Sequence, residues 1–274
     1  MPNNSSFLRP QIALPQDHGS WVFILSPLAI GVFAGGKMNN ATLAFVLAAM
    51  MAFMIRQPTT IAIKALYGRR PRSDLPASYF WIVIYGAAIL FASLALFILG
   101  KSFVFYLSIP ALPVFAWHLW LVSRREERRQ MGIEMLATGV LALAAPAAFW
   151  LGKDNYNSNA WAMWLLVWFQ SAASILYAYL RLEQRQWKNI PTLEERLKPG
   201  FRALIYTVFN LILSIILGTL SIVPTWVFLA HLVQTAETLW GTFNPAVGAK
   251  PVAIGMRQLI VSILFTIIFI ITWR

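Results

Sequence analysis

Nine long apolar runs divide this sequence and constrain its fold more than any other feature. A hydrocarbon core about 30 Å thick is crossed by a helix of about 20 apolar residues. The chain is 59% apolar and only 12% charged, which leaves too little polar surface for a soluble domain of 274 residues. We therefore predict an all-α, polytopic membrane helix bundle with about nine transmembrane helices. The runs cover residues 20–36, 40–55, 79–100, 102–123, 132–152, 159–181, 203–222, 224–241 and 254–273.

The basic residues support this odd number of spans. If the N-terminus is cytoplasmic, all but four of the 22 lysines and arginines fall on the cytoplasmic side. The four on the opposite side are Lys37, Lys101, Lys153 and Arg274. Cytoplasmic loops are enriched in Lys and Arg, so we expect a cytoplasmic N-terminus. The first two runs are short, and a re-entrant hairpin in their place would preserve the same parity.

The concentration of Lys and Arg in the cytoplasmic loops also explains the net charge of +12. We therefore expect membrane lipids, and no nucleic acid, as partners. Residues 1–19 lack the apolar core of a signal peptide, and we expect them to remain as a cytoplasmic segment. Residues 20–274 form a single transmembrane domain, because no loop is long enough for another one. A bacterial inner (plasma) membrane or a thylakoid membrane fits this charge pattern.

Polar side chains within or beside the spans are the candidate functional groups, because such groups are costly in a membrane. Asp17, His18 and Trp21 begin the first run, either as an acid–imidazole pair at a cavity mouth or as a helix cap. The eighth run carries a slanted strip that either lines a cavity or serves helix contacts and the interface. Its residues are His231, Gln234 and Glu237.

Charged residues at the cytoplasmic ends of the spans form a second group. Glu134 opens the fifth run, where it either pairs with a base or faces the helix dipole favourably. The other members either bind an anion such as phosphate or anchor the helices at the cytoplasmic interface. These are Arg56, Lys64, Arg181, Glu183 and Arg185.

The sequence predicts no metal site and no cofactor. It has no cysteine, which excludes disulfides, iron–sulfur clusters and thiolate zinc sites. Its three histidines fall in separate spans, and it has neither a glycine-rich phosphate loop nor a His-Glu-x-x-His motif.

Several segments resemble the YwiC-like family, bacterial integral membrane proteins without an established activity. The segment Pro15-Gln16-Asp17-His18-Gly19-Ser20-Trp21 resembles the Pro-Lys-x-His-Gly-Ala-Trp opening of that family. Weaker matches follow in the same order along the chain. They are Arg56-Gln57-Pro58, Glu127-Arg128 leading into Glu134, Tyr179-Leu180-Arg181-Leu182-Glu183, and Lys250-Pro251 with Gly255.

The nine-helix architecture is also similar to that of the UbiA prenyltransferases, whose helices surround a cavity open to lipid. Those enzymes hold Mg²⁺ and a prenyl diphosphate with Asp-rich motifs after the second and sixth spans. Here the aspartates are Asp17, Asp74 and Asp154, and no Asp-x-x-x-Asp motif occurs. The resemblance therefore implies a UbiA-like arrangement of helices without the metal–diphosphate reaction.

Three functions remain open at this level. The first is a scaffold that binds or modifies an isoprenoid or other anionic lipid in a cytoplasm-facing cavity. The second is a transporter of a small solute, for which Pro110, Pro113 and Pro146 hint at broken helices. The third is a non-catalytic assembly partner of another membrane protein complex. Whether the protein is an enzyme does not follow from the sequence.

Overall fold

The computed structural model describes residue 7 and residues 9–16, 18–126 and 130–273, with only the backbone at His18. Secondary structure in these residues is entirely helical, as predicted. Two short 3₁₀ turns, Arg72–Asp74 and Thr225–Val227, precede α4 and α11. The α-helices are α1 Pro10–Ala13, α2 His18–Gly35, α3 Asn40–Leu66, α4 Leu75–Ile98, α5 Val104–Ser108, α6 Ala111–Arg124, α7 Met131–Ala142, α8 Ala144–Lys153, α9 Ala160–Gln184, α10 Leu193–Thr219, α11 Phe228–Phe243 and α12 Pro251–Trp273.

Seven helical segments of the described chain are long and apolar enough to cross a membrane. They are Asn40–Leu66, Arg72–Ile98, Val104–Arg124, Met131–Lys153, Ala160–Gln184, Leu193–Thr219 and Pro251–Trp273. The other two predicted runs hold α2 and α11, which have 18 and 16 residues and pack against α12. The all-helical, multi-pass fold is therefore confirmed, and every apolar run contains one helix or one broken pair.

Two helices extend beyond their predicted ends. Helix α3 continues to Leu66 instead of ending near residue 55. Helix α10 begins at Leu193, where Thr192 and Glu195 form a reciprocal capping box, and it continues through Pro199 into the seventh run. Residues that lie outside the predicted apolar runs therefore form the first turn of a spanning helix.

The fourth and fifth runs are each broken into two helices. The first break lies near Ile109 and Pro110, and the second lies at Leu143. At the second break, the Leu143 N–H donates to the carbonyl of Val140. The carbonyl of Gly139 instead accepts a hydrogen bond of 2.9 Å from Nε1 of Trp164 on α9. A neighbouring helix thus satisfies the backbone group that the break releases, as the apolar interior requires.

Small residues bring α2 and α8 into close contact at the centre of the bundle. A Cβ added to Gly31 would lie 2.2 Å from the carbonyl oxygen of Ala145. Helix α8 is buried along nearly its whole length. The glycines of the first run and the alanines of the fifth therefore permit this close approach of the two helices.

Hydrogen bonds join the basic ends of different helices on one side of the bundle, called here the basic face. Gln57 donates to the carbonyl of Gln11, Arg69 to that of Val122, and Arg185 to that of Ala249. The segments that meet there are residues 9–16, 56–75, 122–126, 181–202 and 243–257. On the opposite face, an ion pair joins Lys101 and Asp154. The helix ends therefore alternate between two faces, as the charge pattern required.

Candidate functional site

A cavity of about 1620 Å³ lies between the helices and reaches the basic face. Its wall is mainly apolar and includes Phe45, Phe105, Phe115 and Leu141. Helices α3, α6, α7 and α9 contribute most of the lining, and the ends of both broken helices border it. Cavities for small molecules commonly measure about 300–1,000 Å³, so this one has room for a larger, lipid-sized molecule.

The end of the cavity at the basic face, called here the mouth, carries basic side chains from three helices. Arg56 and Lys64 come from α3, Arg185 from the end of α9, and Arg202 from α10. Residues four apart fall on one face of a helix, which explains why Arg56, Thr60 and Lys64 line the cavity together. The Arg56 guanidinium lies 5.4 Å from the centre of the Phe53 ring. These groups can hold an anion by charge-assisted hydrogen bonds.

Two carboxylates also line the cavity, Glu134 on α7 and Glu183 on α9. Glu134 accepts a hydrogen bond of 3.1 Å from the Tyr179 hydroxyl. Glu183 is solvent-exposed. The described mouth therefore contains two acids beside four bases and attracts anions.

Of the predicted site residues, the structure brings five to this cavity: Arg56, Lys64, Glu134, Glu183 and Arg185. The side chains of Asp17 and His18 lie outside the described residues. Trp21 packs edge-on against Phe53 and donates to the carbonyl of Pro15, and it does not line the cavity. The other four predicted site residues lie in contacts between helices.

Arg181 and Glu237 lie in the packing of α9, α11 and α12, away from the predicted anion site. The Arg181 guanidinium, 6% exposed, donates to the carbonyls of Gly241 and Asn244 at 2.9 and 2.7 Å. It therefore caps the C-terminal end of α11, where a cation is favourable. Glu237 accepts two hydrogen bonds from Arg257, of 2.6 and 2.9 Å. Both charges are thus used to hold helices together.

His231 and Gln234 lie on the inner face of α11 and do not line the cavity. His231 is 1% exposed, packs edge-on against Phe265, and neither ring nitrogen has a hydrogen-bond partner in the described chain. Gln234 accepts hydrogen bonds from Gln170 and Gln258. Residues three apart on a helix are rotated by about 60° relative to each other, so these polar residues form a slanted strip. This strip faces the neighbouring helices of the bundle.

Sequence reasoning missed several polar lining residues, among them Thr60, Ser174, Arg202 and Gln258. The four-residue spacing from Arg56 could have pointed to Thr60, provided that α3 was extended past residue 55. Arg202 joins the mouth because α10 begins ten residues earlier than predicted. No local signal distinguishes Ser174 or Gln258 from other polar residues in helix contacts.

The donor set at the mouth does not fit a Mg²⁺–diphosphate site. Mg²⁺ prefers carboxylate oxygens in an octahedral arrangement. Asp74 lies instead between Arg9 and Arg70, and Asp154 is on the opposite face. The described residues include no cluster of three or more His, Cys, Asp or Glu side chains that could hold a metal ion.

Comparison with known proteins gives two relationships. The YwiC-like protein family matches residues 14–149. The uncharacterized protein YwiC of Bacillus subtilis (strain 168) is 25% identical over 181 residues, which are 64% of this chain and 69% of that protein.

Among solved structures, that of digeranylgeranylglyceryl phosphate synthase has a TM-score of 0.58 at 12% identity, covering 98% of this chain and 96% of that chain. A UbiA homolog from Archaeoglobus fulgidus, bound to GPP and Mg²⁺, has a TM-score of 0.53 at 15% identity, covering 98% of each chain. At such identities the likeness shows the fold alone. Residues 14–149 are therefore similar to the YwiC-like protein family, and over nearly its full length the chain has the fold of the UbiA homologues.

Proposed function

We propose that this protein binds an isoprenoid or another lipid with an anionic head group in the cavity at the basic face. The head lies at the mouth, among Arg56, Lys64, Arg185 and Arg202, and the tail lies along the apolar wall. One observation carries the proposal: a single lipid-sized cavity combines a basic end with an apolar interior. The expected setting is a bacterial inner or thylakoid membrane, with the basic face toward the cytoplasm.

The mouth supports direct binding of the anion without a metal. Guanidinium groups bind phosphate with two parallel hydrogen bonds and keep their charge at all ordinary pH values. The UbiA homolog from Archaeoglobus fulgidus binds GPP together with Mg²⁺. In this chain, side-chain cations take the place of the metal, and the proposal is limited to binding.

A second candidate, transport of a small solute, is favoured by the two broken helices that border the cavity. Transport of a polar solute requires a hydrated path to both faces. The lining toward the opposite face includes Leu96, Val104 and Phe105, which do not hydrate such a path. Lipid binding therefore fits the lining better.

The proposal is tested by the binding of octadecyl phosphate to the protein in phosphatidylcholine nanodiscs that contain EDTA. We expect saturable binding that is weaker for octadecanol, which lacks the anionic head. Arg202→Gln removes one cation of the mouth and should weaken binding by roughly 10- to 150-fold, since one hydrogen bond to a charged group contributes about 1.5–3 kcal/mol.

Lys188→Gln is the matched control, because it removes one positive charge from an exposed position on the same face, outside the cavity. An equal loss in both variants would show that the mouth does not hold the head group. Equal affinity for the alcohol and the phosphate would refute the proposal. Mass spectrometry of protein extracted in native lipid should then identify the lipid that remains bound.

A further inference from the structure

A partly exposed guanidinium lies on the outer surface of the bundle, between α11 and α12. The Arg257 side chain on α12 is 42% exposed, and Trp240 on α11 is exposed beside it. Exposed apolar side chains of α12 surround this position, as is typical of a surface that faces lipid tails. They are Met256, Ile260 and Leu264. None of these residues lines the cavity, so this surface is separate from the mouth.

Two contacts hold the Arg257 guanidinium on its inner side. Its Nε and one Nη donate to the two carboxylate oxygens of Glu237, at 2.6 and 2.9 Å. Its central carbon lies 3.5 Å from the centre of the Trp240 ring, which covers one face of the plane. A guanidinium carries five N–H groups in a rigid fork. Two of them bind Glu237, and the others have no acceptor within the described part of the chain.

The charges around Trp240 do not balance among the residues that the structure describes. Arg181 lies 5.5 Å from the centre of the same ring. Its guanidinium donates to backbone carbonyls and to the Gln184 amide, and none of its described partners is an acid. Glu237 therefore faces two guanidiniums and neutralises one of them. An anion beside the outer edge of Arg257 would neutralise the remaining charge.

The depth of Arg257 places it close to lipid phosphates. It follows Pro251, the first residue of α12, by six residues, which is about 9 Å along the helix axis from the basic face. The head-group region of each leaflet is about 5–8 Å thick beyond the hydrocarbon core. A long arginine side chain extends toward this region, so its outer N–H groups can reach a phosphate of the leaflet at the basic face.

We propose that the surface between α11 and α12 binds a bilayer phospholipid with a net negative head group, such as phosphatidylglycerol. The outer N–H groups of Arg257 donate to its phosphate, while Glu237 and Trp240 position the guanidinium. One acyl chain lies along Ile260 and Leu264. A zwitterionic head group carries its own positive charge and compensates the cluster less well. The site lies outside the cavity, and the inference does not depend on the function proposed above.

A fluorescent label beside the site tests the inference in vesicles of dioleoyl phosphatidylcholine. Leu264→Cys places one bimane label seven residues, or about 10 Å, from Arg257 on the same helix face of this cysteine-free chain. A minor fraction of the lipid carries bromines at mid-chain carbons, which quench the label on contact. This fraction is either phosphatidylglycerol or phosphatidylcholine. We expect the brominated phosphatidylglycerol to be enriched roughly fivefold at the label, the effect of one basic residue at an anionic membrane surface.

A double variant and a matched control identify the group that binds the lipid. Glu237→Gln combined with Arg257→Gln replaces the ion pair by two amides and leaves the net charge unchanged. In this variant the enrichment should fall to about one. Arg124→Gln is the control, because Arg124 also lies near a tryptophan at the basic face, 5.1 Å from the centre of the Trp120 ring. It should preserve the enrichment.

The outcomes decide the inference independently of the cavity. Equal quenching by the two brominated lipids, with no other substitution present, refutes the phospholipid site and leaves the proposed function standing. An enrichment that survives in the double variant shows that the general positive field of the basic face attracts the lipid, and it also refutes the site. Where the double variant does not fold, Trp240→Leu removes the stacking ring and keeps both charges. It should lower the enrichment, and an unchanged value would overturn the proposal.

Discussion

Substitution of Gly31 by alanine tests the closest helix contact of the fold. A Cβ at this position would lie 2.2 Å from the backbone oxygen of Ala145 and 2.8 Å from Cβ of Ala148. Carbon and oxygen atoms rest at about 3.5 Å, so α2 and α8 would have to separate by more than about 1 Å. A backbone oxygen within a buried helix cannot rotate away as a flexible side chain can.

Two opposing contributions determine the size of the effect. Overpacking a close-packed core destabilises a protein by about 1–3 kcal/mol, and a backbone clash places this case at the upper end. Alanine stabilises a helix by about 0.8–1 kcal/mol relative to glycine, which offsets part of this destabilisation. We therefore expect Gly31→Ala to lower the free energy of unfolding by about 1–2 kcal/mol.

The assay is thermal unfolding in detergent, with size-exclusion chromatography of the remaining folded protein. Gly86→Ala on α4 is the control, because no heavy atom from another part of the described chain lies within 4 Å of that Cβ position. It measures the propensity contribution alone and should leave the melting temperature unchanged or raise it. Equal melting temperatures for the two variants would falsify the claimed contact.

Three further predictions concern the broken helix, the opposite face and the topology. Trp164→Phe should destabilise the protein by about 1–3 kcal/mol in the same assay, because it leaves the carbonyl at the α7–α8 break without a donor. A hydrogen bond from Lys101 holds the pKa of the Asp154 carboxyl below its ordinary value of 3.8, so this pair stabilises the fold above that pH. The loss of melting temperature in Asp154→Asn should therefore shrink as the pH falls through the lowered pKa. In this cysteine-free chain, Ser73→Cys should react with a membrane-impermeant thiol reagent from the cytoplasmic side and Ser158→Cys from the opposite side.

Each of these predictions has a control or a contrary result. Trp120→Phe changes an indole that is about half exposed, and it should leave the melting temperature nearly unchanged. A pH-independent difference for Asp154→Asn would show that the ion pair does not contribute. Reaction of both cysteine variants from the same side would overturn the assignment of the two faces.

The residues at the mouth of the cavity could be predicted from the sequence better than the polar residues deeper in the bundle. Lys64 and Arg185 lie at helix ends, and Arg56 directly follows the second apolar run, so the positive-inside pattern already places all three cations on one face. Arg181 follows the same pattern, yet its guanidinium turns into the bundle and caps α11. The difference between neighbouring arginines depends on the rotation of α9, and no spacing within the sequence reveals it.

The sequence by itself determined the helical class, the number of apolar runs and the two-faced charge pattern, because the bilayer acts on each segment separately. Span length and loop charge need no knowledge of neighbouring helices. Only the tertiary structure decided where the cavity lies and which polar groups reach it. Those features depend on how closely the helices approach one another and on how each helix is rotated about its axis. Contacts between residues far apart in the sequence, such as Gly31 with Ala145 and Trp164 with Gly139, control both.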